Sequence, residues 1–543
     1  MPKWILILLS INFISWINAN SYAQVYLVDP LEPIYPDKNK LSAYSNNYTL
    51  DYPTGSPVDI HLVATNIKPT VKPKAIYNGK SISNSYWYDL ISVPVLQNTG
   101  IESRTELFDN KKNPYVIRRA PFEIYEIISP MGYLKAPNSN FRAWRLSIPS
   151  NFFYKPGKYT IEISLDGGVK SRVCLFTVVI HKTRLPILNK SQFVYTNWFN
   201  LGKFEVFHAL KRGSQEWYNM LDKYALLIAS GRQNTIMIPH QFIYKNAQNK
   251  IILDEKLMLD FINIFKLHGI KYFEGPHLMY WNKVVATGNS IATTTGKQEM
   301  DTVITLLSKF ISKHNLTSCW LQHIIDEPSK DQINNYKAIS KSLKEKTPGL
   351  KIIEAVALTN ELNGYIDYWV PHVNNFQHNI DFYQSQSKKG CKILVYSSLS
   401  PGGPWLNRLL DQERLREVYF GWGAAFYNTN GILHWALNEG TGDPFKQTLF
   451  KNPSKGAADN NFLPAGDSHI IYPIKTYGAL SSIRFEAQRQ GAEDFELLNM
   501  VNDNAKKQSL INSIFTNYKN YNKNVRNYRA VRRQLLLLTD KAY

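Results

Sequence analysis

From about residue 191 onward, one pattern recurs eight times: a short apolar run, typical of a buried strand, usually followed by a longer amphipathic stretch typical of a helix. The apolar runs lie at 193–199, 234–240, 271–277, 319–327, 351–358, 365–373, 392–398 and 431–438. Helical patterns between them include 253–269 and 411–426. Eight such units before residue 500 predict a (β/α)8 barrel. A doubly wound open sheet is the alternative, which is disfavoured because no Gly-rich phosphate loop follows the first strand.

The part of the chain before the barrel, residues 24–190, has a different pattern. Alternating stretches rich in β-branched and aromatic residues recur there, separated by turn signals such as Asn78-Gly79 and Pro156-Gly157. No helical period of useful length interrupts them. We therefore predict an all-β sandwich over 24–190, followed by a catalytic barrel over 191–500. Residues 501–543, which are rich in Lys and Arg, are predicted to form a basic helical segment.

The first 23 residues resemble a secretory signal. Lys3 is followed by an apolar run at 4–16 and by a small-x-small cleavage site that ends at Ala23. That run is shorter than the ~20 apolar residues that a membrane span requires, and no later segment is long and apolar enough to span a bilayer. We therefore expect a periplasmic or extracellular mature protein without an integral membrane segment.

The chain has a formal net charge of +20. Nucleic acid is a poor candidate partner for a secreted protein, so two explanations of this charge remain. The basic surface either binds anionic glycans or is simply a solvated helical face, and the second explanation is the commoner one. The sequence does not give the oligomeric state.

In a barrel enzyme the active site lies at the carboxyl ends of the strands. The apolar runs end in aromatic rings, imidazoles, amides and carboxylates, the groups that a sugar pocket uses. The histidines lack the H-x-x-x-H and H-E-x-x-H spacings of metal sites, so we expect no metal and no cofactor. The candidate catalytic residues are Asp326 and Glu327, and the candidate substrate-binding residues are Trp198, His277, His323, Tyr396, Trp435 and Asn438.

The doublet Asp326-Glu327 ends the fourth apolar run and is followed by Pro328. Proline disfavours a helical conformation in the residue before it, so we expect an extended backbone at Glu327. Ser329 and Gln332 have the spacing of a capping box, which predicts a helix through about Lys346. Acidic residues before a helix are often structural. The position of this doublet, at a barrel strand end after apolar residues, favours a catalytic role instead.

Two adjacent carboxylates repel each other, and this raises the proton affinity of at least one of them. One can then act as a general acid while the other stays ionised, the pairing that glycoside hydrolysis requires. Neighbours on a straight strand point to opposite faces. Either the chain bends at Asp326, or the two carboxylates act on different parts of the substrate. A second doublet, Glu493-Asp494, follows Arg489 at helical spacing, which indicates a structural ion pair.

The run 323–328 resembles the H-x-x-D-E-P signature of glycoside hydrolase family 123, the β-N-acetylgalactosaminidases, and of related uncharacterised domains. Four further stretches are similar to family features in the same order. They are the proline-rich loop after strand seven (401–407), the H-W-G-Y-N strand eight (434–438), the G-D-G-x-x-x-Y-P motif (466–473) and the closing helix (482–496). Residues 144–159 resemble the end of the family's N-terminal sandwich. The resemblance covers nearly the whole mature chain.

This resemblance implies hydrolysis with retention, assisted by the substrate. The 2-acetamido oxygen of the sugar attacks the anomeric carbon and forms an oxazolinium ion. By the same resemblance, Asp326 orients the acetamido group and Glu327 is the acid/base. Of the remaining candidates, Trp435 would be a platform under the sugar and Tyr396 would hydrogen-bond the acetamido group. His277 and Asn438 would bind hydroxyls, and His323 would support the two carboxylates.

The chain departs from the family pattern near the expected sugar pocket. Ala436-Leu437 stand where the family more often has Gly-Tyr, and Glu439-Gly440 follow in place of His-Trp. Three functions therefore stay open: an exo-β-N-acetylhexosaminidase of GalNAc type, the same barrel acting on another β-glycoside or an acidic glycan, and a non-catalytic glycan-binding protein. The presence of both carboxylates argues against the third, since a receptor needs no acid.

Overall fold

The computed structural model describes residues 23–541 except 38–43, 69, 135–140, 154, 167–170, 358–359, 441 and 453–456. The apolar run of the predicted signal peptide and all but the last residue of its cleavage site lie outside the described residues.

Eight parallel strands form one sheet in which each of the eight predicted runs supplies one strand, so the predicted barrel is confirmed. In chain order they are Val194–Asn197, Thr235–Met237, Tyr272–Gly275, Trp320–Gln322, Lys351–Val356, Tyr368–Pro371, Lys392–Ser397 and Gly431–His434, here called barrel strands 1 to 8. Strand 1 pairs with strand 8 from Val194↔Gly431 onward, and every later strand pairs with its chain neighbour. In the described residues, strands 1 and 2 form no ladder.

The gap between barrel strands 1 and 2 is bridged by two buried side-chain amides. Gln233 donates hydrogen bonds to the carbonyls of Asn197 on strand 1 and Thr235 on strand 2 (both 3.0 Å). Asn234, fully buried, accepts a hydrogen bond from the backbone N–H of Tyr195 (3.0 Å) and donates one to the carbonyl of Phe193 (2.9 Å). The Asn234 amide satisfies two buried backbone groups that a ladder would otherwise pair. The barrel is therefore closed by hydrogen bonds all the way round.

Helices with apolar inner faces surround the barrel and share its hydrophobic core. Several start at side-chain caps: the Ser214 hydroxyl, the Asp254 carboxylate and the Thr293 hydroxyl each accept a backbone N–H. The helices are Leu201–His208, Gln215–Ser230, Glu255–Leu267, Thr294–Lys313, Ile333–Lys346, Val373–His378, Ile380–Lys388, Leu415–Tyr427 and Ile483–Met500.

The N-terminal part forms two sheets, almost entirely antiparallel, packed over their own apolar core. The exception is the pair Asn47–Thr54 and Cys174–Arg184, which is parallel. One sheet contains Gln24–Val28, Val58–Thr65, Phe141–Ile148, Trp87–Val95, Phe122–Pro130, Gly478–Ser482 and Tyr472–Ile474. The other contains Asn47–Thr54, Cys174–Arg184, Gly157–Leu165, Pro73–Tyr77 and Lys80–Ser81.

Two strands of the first sheet, Tyr472–Ile474 and Gly478–Ser482, come from beyond barrel strand 8. The second pairs with Phe122–Pro130 at Ser481↔Ile128. The predicted boundaries placed these residues in the barrel. The chain instead returns to the sandwich before its closing helix, which ties the two parts together.

The remaining elements are short. The hairpins are Ile243–Lys245 with Ile251–Leu253, Met279–Tyr280 with Lys283–Val284, Phe450–Lys451 with Phe462–Leu463, and Phe515–Asn517 with Asn520–Tyr521. One further helical turn is Glu106–Asp109, and 3-10 turns are Asn84–Tyr86, Leu188–Lys190, His240–Phe242, Lys330–Gln332 and Asn360–Leu362. No helix within the described ranges is long and apolar enough to cross a bilayer.

The C-terminal segment contains the helices Asn504–Asn512 and Val525–Asp540 with the last of those hairpins between them. It is thus not purely helical. Two of its arginines are also not part of a solvated basic face. Arg529 pairs with the buried Asp29 (2.7 Å), and the buried Arg532 pairs with Asp494 (2.8 Å). Part of the positive charge therefore fastens the last helix to the rest of the molecule.

The closing helix Ile483–Met500 also carries buried ion pairs. Arg484 pairs with Glu126 of the sandwich at 2.6 Å, and both side chains are fully buried. Arg484 also donates to the carbonyls of Gly466 and His469, which belong to the 466–473 motif. Arg489 pairs with Glu493 at 2.7 Å, which confirms the structural interpretation of the second doublet.

Candidate active site

The doublet Asp326-Glu327 lies in a turn above the carboxyl end of barrel strand 4, which ends at Gln322. Glu327 has a φ of +47°, in the left-handed region, so the expected extended backbone at this residue is wrong. The Glu327 N–H donates to the carbonyl of Ala355 on barrel strand 5 (3.2 Å), a tertiary contact that opposes the local preference. The chain thus bends at Asp326 and Glu327, which is the first of the two alternatives that the sequence left open.

The residues after the doublet are held by the predicted capping box, which the structure confirms. The side chain of Gln332 accepts the backbone N–H of Ser329 at 2.8 Å, and the Ser329 side chain caps the turn in return. A 3-10 turn leads from there into the helix Ile333–Lys346. The doublet is therefore fixed on both sides rather than carried on a free loop.

Asp326 and Glu327 line a cavity of about 900 Å³ at the carboxyl ends of the strands. Of the predicted substrate-binding residues, Trp198 and His277 line it as well. Among its other lining residues are His240, Gln241, Tyr280, Trp281 and Glu439. The cavity is large enough for a drug-sized ligand.

Tyr396, on barrel strand 7, donates its hydroxyl hydrogen bond to Oε1 of Glu327. Its ring packs edge-on against His372, with 4.8 Å between the centroids. Burial and the negative charge of Glu327 raise the pKa of Tyr396 well above its usual value, so the phenol stays protonated as a donor. Tyr396 thus contacts a catalytic candidate.

Asp326 is exposed to the cavity, and its carboxylate accepts no hydrogen bond from the described residues. Desolvation, the charge of Glu327 and the charge of Glu354 raise the pKa of Asp326 to about 7.

Behind the doublet, His323 lies between two buried glutamates. Its Nε2 is 2.9 Å from Oε2 of Glu274 and its Nδ1 is 2.8 Å from Oε1 of Glu354. Burial alone would lower the pKa of His323, but the hydrogen bonds and charges of the two glutamates outweigh it and raise the pKa to about 10. The expected partnership with Asp326 and Glu327 is replaced by this triad. His323 is fully buried and does not reach a substrate.

The triad supports the floor of the cavity. Glu354 accepts the backbone N–H groups of Ile324 (2.7 Å) and Ile325 (3.1 Å), the two residues before Asp326. Trp198 donates its indole N–H to Glu274 at 2.7 Å. Sequence reasoning missed Glu354, although a lone acidic residue inside the apolar run 351–358 is a usable signal, because a buried charge requires a partner.

His277 lies beside the triad, with its Nε2 3.8 Å from Oε1 of Glu354. Burial and the charge of His323 hold the pKa of His277 well below its usual value, so this imidazole is neutral. The ligand atoms of His277, His323 and Glu354 are close enough together to hold a metal ion. Both ring nitrogens of His323 already bond to carboxylates, however, so this residue has no lone pair to offer.

Four of the six predicted sugar-binding residues do not line the cavity: His323 and Tyr396, described above, and Trp435 and Asn438. The side-chain amide of Asn438 accepts from the N–H of Asn200 (2.8 Å) and donates to its carbonyl (3.1 Å), so the amide joins two loops and is not available to a hydroxyl. Trp435 donates its indole N–H to the buried Asp467 (3.1 Å). Both assignments depended on strand position alone, whereas the loops after the strands decide which way these side chains point.

Residues 248–501 match the family model described as glycoside hydrolase 123, catalytic domain. Among solved structures, a family 123 glycoside hydrolase from Clostridium perfringens, studied for glycolipid glycan hydrolysis, is 15% identical with a TM-score of 0.70. The match covers 96% of this chain and 97% of that one.

Two other solved structures are more distant. A putative α-galactosidase/melibiase from Bacteroides fragilis is 9% identical (TM-score 0.26; 74% and 73% covered), and a family 10 xylanase from Thermobacillus composti is 12% identical (TM-score 0.34; 56% and 98% covered). No curated protein sequence matches the chain. Through residues 248–501, the chain is therefore similar to the catalytic domain of glycoside hydrolase family 123.

Proposed function

We propose that the protein is a secreted, retaining exo-β-N-acetylhexosaminidase of GalNAc type that uses the substrate's 2-acetamido group as the nucleophile. The observation that carries the proposal is that Asp326 and Glu327, which are neighbours in sequence, line the same cavity. The chain turns at Glu327, where the backbone is left-handed. The similar Clostridium perfringens enzyme hydrolyses glycolipid glycans, which makes such glycans a reasonable substrate class for this protein.

In the proposed reaction, ionised Asp326 accepts the acetamido N–H and turns the acetamido oxygen toward the anomeric carbon. The C1–O bond to the aglycone breaks as that oxygen attacks, and Glu327 gives its proton to the departing oxygen. An oxazolinium ion remains, whose positive charge lies near Asp326. Glu327 then removes a proton from water, which attacks the anomeric carbon and restores the acetamido group with retained configuration.

This scheme suits two neighbouring carboxylates. A double displacement by two enzyme carboxylates needs them on opposite sides of the bond, about 5–5.5 Å apart. Here neither carboxylate attacks carbon, so both can approach the sugar from one segment of chain. The Tyr396 hydroxyl holds Oε1 of Glu327 and thereby orients the proposed acid.

Substrate choice tests the nucleophile. If the acetamido group attacks, aryl β-N-acetylglycosides are cleaved and their 2-hydroxy counterparts are not. A thiazoline that mimics the oxazolinium ion should inhibit strongly, as intermediate analogues do. Comparable turnover of an aryl β-galactoside and its N-acetylated form would reject assistance by the substrate and favour another β-glycosidase.

Leaving-group dependence tests the two roles. Glu327→Gln removes the proton donor, worth about 10²–10⁴-fold, and should impair a glycan far more than a nitrophenyl glycoside, whose phenolate leaves unaided. Asp326→Asn should impair both substrates equally, because the acetamido attack itself is weakened. The assignment fails if Glu327→Gln is equally slow on both, or if the nitrophenyl substrate rescues Asp326→Asn.

A further inference from the structure

The hairpin Met279–Tyr280 with Lys283–Val284 presents two exposed aromatic rings at the cavity. Tyr280 and Trp281 are each 71% exposed. Every other tryptophan that the structure describes is buried or half-buried. A large apolar ring is normally covered by the fold, so a ring left open at a substrate cavity points to a ligand.

This hairpin is fastened to the segment that carries the catalytic doublet. The N–H groups of Leu278 and Met279 both donate to the carbonyl of Ile324 (3.0 and 2.9 Å), two residues before Asp326. Beyond the doublet, the side-chain amide of Asn282 donates to Asp331 at 3.2 Å. The hairpin that carries the two rings therefore has a defined position relative to both carboxylates.

The backbone of the turn adds to the argument. Trp281 has a φ of +53°, a conformation that bulky residues rarely adopt. A glycine would take this position without strain. The residue here is instead Trp281, which among the described residues is the only exposed tryptophan. Strain of this kind persists where the surroundings impose it, and it is concentrated at ligand sites.

We propose that Tyr280 and Trp281 form a platform for the sugar on the aglycone side of the scissile bond, an inference that rests on the proposed function. The cavity of about 900 Å³ lies near the upper end of the range for drug-sized ligands, which leaves room for more than one pyranose ring. The C–H face of a pyranose packs on the electron-rich face of an aromatic ring. The occupant is therefore a neutral sugar of an oligosaccharide or glycolipid glycan.

Two substrates with the same non-reducing sugar test the platform. One is β-N-acetylgalactosaminyl fluoride, which has no aglycone sugar, and the other is a disaccharide with that sugar β-linked to galactose. Trp281→Ala should lower kcat/KM on the disaccharide about tenfold, equivalent to about 1.4 kcal/mol, and leave the fluoride unchanged. Trp281→Phe keeps a ring and should retain most of the activity. Tyr477→Ala, at an exposed aromatic residue outside the cavity, should change neither.

If Trp281→Ala lowers kcat/KM equally on the two substrates, the proposed platform is wrong. If the wild-type protein cleaves neither, the proposed function fails, and saturation-transfer NMR of the disaccharide then tests the platform separately. The galactose protons should receive saturation in the wild type and lose it in Trp281→Ala. A sugar is rejected as the occupant if the wild type shows no such signal. It is also rejected if Trp281→Ala impairs only the binding of lipid vesicles.

Discussion

At the scale of single residues, the site depends on one strained backbone position. A left-handed φ at a residue such as Glu327 costs on the order of 1–3 kcal/mol. The hydrogen bond to Ala355 and the contact with Tyr396 come from barrel strands 5 and 7 and hold that conformation in place. The stability of the barrel therefore maintains a geometry that the local sequence disfavours.

The raised pKa of Asp326 gives a pH test of its role. In the free protein Asp326 is protonated below about pH 7 and ionised above it. If it must be ionised to accept the acetamido N–H, kcat/KM should rise with pH through about 7, since kcat/KM reports the free enzyme. A fluoride substrate, which needs no acid, isolates this limb of the profile. Asp326→Asn should abolish the limb, and a kcat/KM on the fluoride that does not rise with pH through about 7 would contradict this role for Asp326.

At the scale of elements, the barrel closes through side-chain amides rather than through a ladder, and Asn234 is one of them. The Oδ1 of Asn234 accepts both the N–H of Tyr195 and the hydroxyl of Thr235 (both 3.0 Å), while its amide donates to Phe193. All of these groups are buried, so none has water as an alternative partner. The first and second barrel strands are thus connected by two side-chain amides, that of Asn234 and that of Gln233, which donates to the carbonyls of Asn197 and Thr235.

Asn234→Ala tests this closure. Loss of the amide leaves a backbone N–H and a carbonyl unpaired in the core, which should lower the free energy of unfolding by about 2–4 kcal/mol. Urea denaturation measures the difference. The matched control is Asn246→Ala, because Asn246 accepts two backbone N–H groups in an exposed turn and its loss should cost far less. Equal destabilisation by the two variants would contradict the proposed closure.

At the scale of the whole molecule, the sandwich and the barrel are joined through buried charge. The ion pair between Arg484 and Glu126 links the closing helix to a sandwich strand. Arg484 also donates to the carbonyl of Arg408. The guanidinium of Arg408 in turn donates to Oδ1 of Asn197, at the end of barrel strand 1 (2.7 Å). The two parts are therefore expected to unfold together.

Arg484→Met should lower the free energy of unfolding by about 3–5 kcal/mol, because it leaves the buried Glu126 with only its longer ion pair to Arg414 (3.9 Å). The double variant Arg484→Met/Glu126→Leu should recover part of that loss. Lys256→Met serves as the control, since Lys256 pairs with Asp260 on an exposed helix face and such pairs contribute about 0–1 kcal/mol. Thermal and urea unfolding check all three variants. If Arg484→Met alone is as stable as the wild type, the ion pair does not contribute to joining the two parts.

The sequence by itself determined the features that depend on local pattern. Apolar runs and helical periods gave the eight barrel strands and their order, because buried strands and amphipathic helices each leave a local signal. The Ser329–Gln332 box predicted the start of the helix through Lys346, since capping depends on residues three apart. The position of Asp326-Glu327 at a strand end followed from the same pattern.

Only the tertiary structure decided which groups meet. Tyr396 reaches Glu327 across 69 residues of sequence, and His323 pairs with Glu274 and Glu354 rather than with the adjacent doublet. Sequence position suggested Asn438 as a ligand for sugar, yet the backbone of Asn200 occupies its amide. The physical reason is that periodicity is a property of neighbours in sequence, whereas hydrogen-bond partners and pKa values are set by atoms that folding brings together.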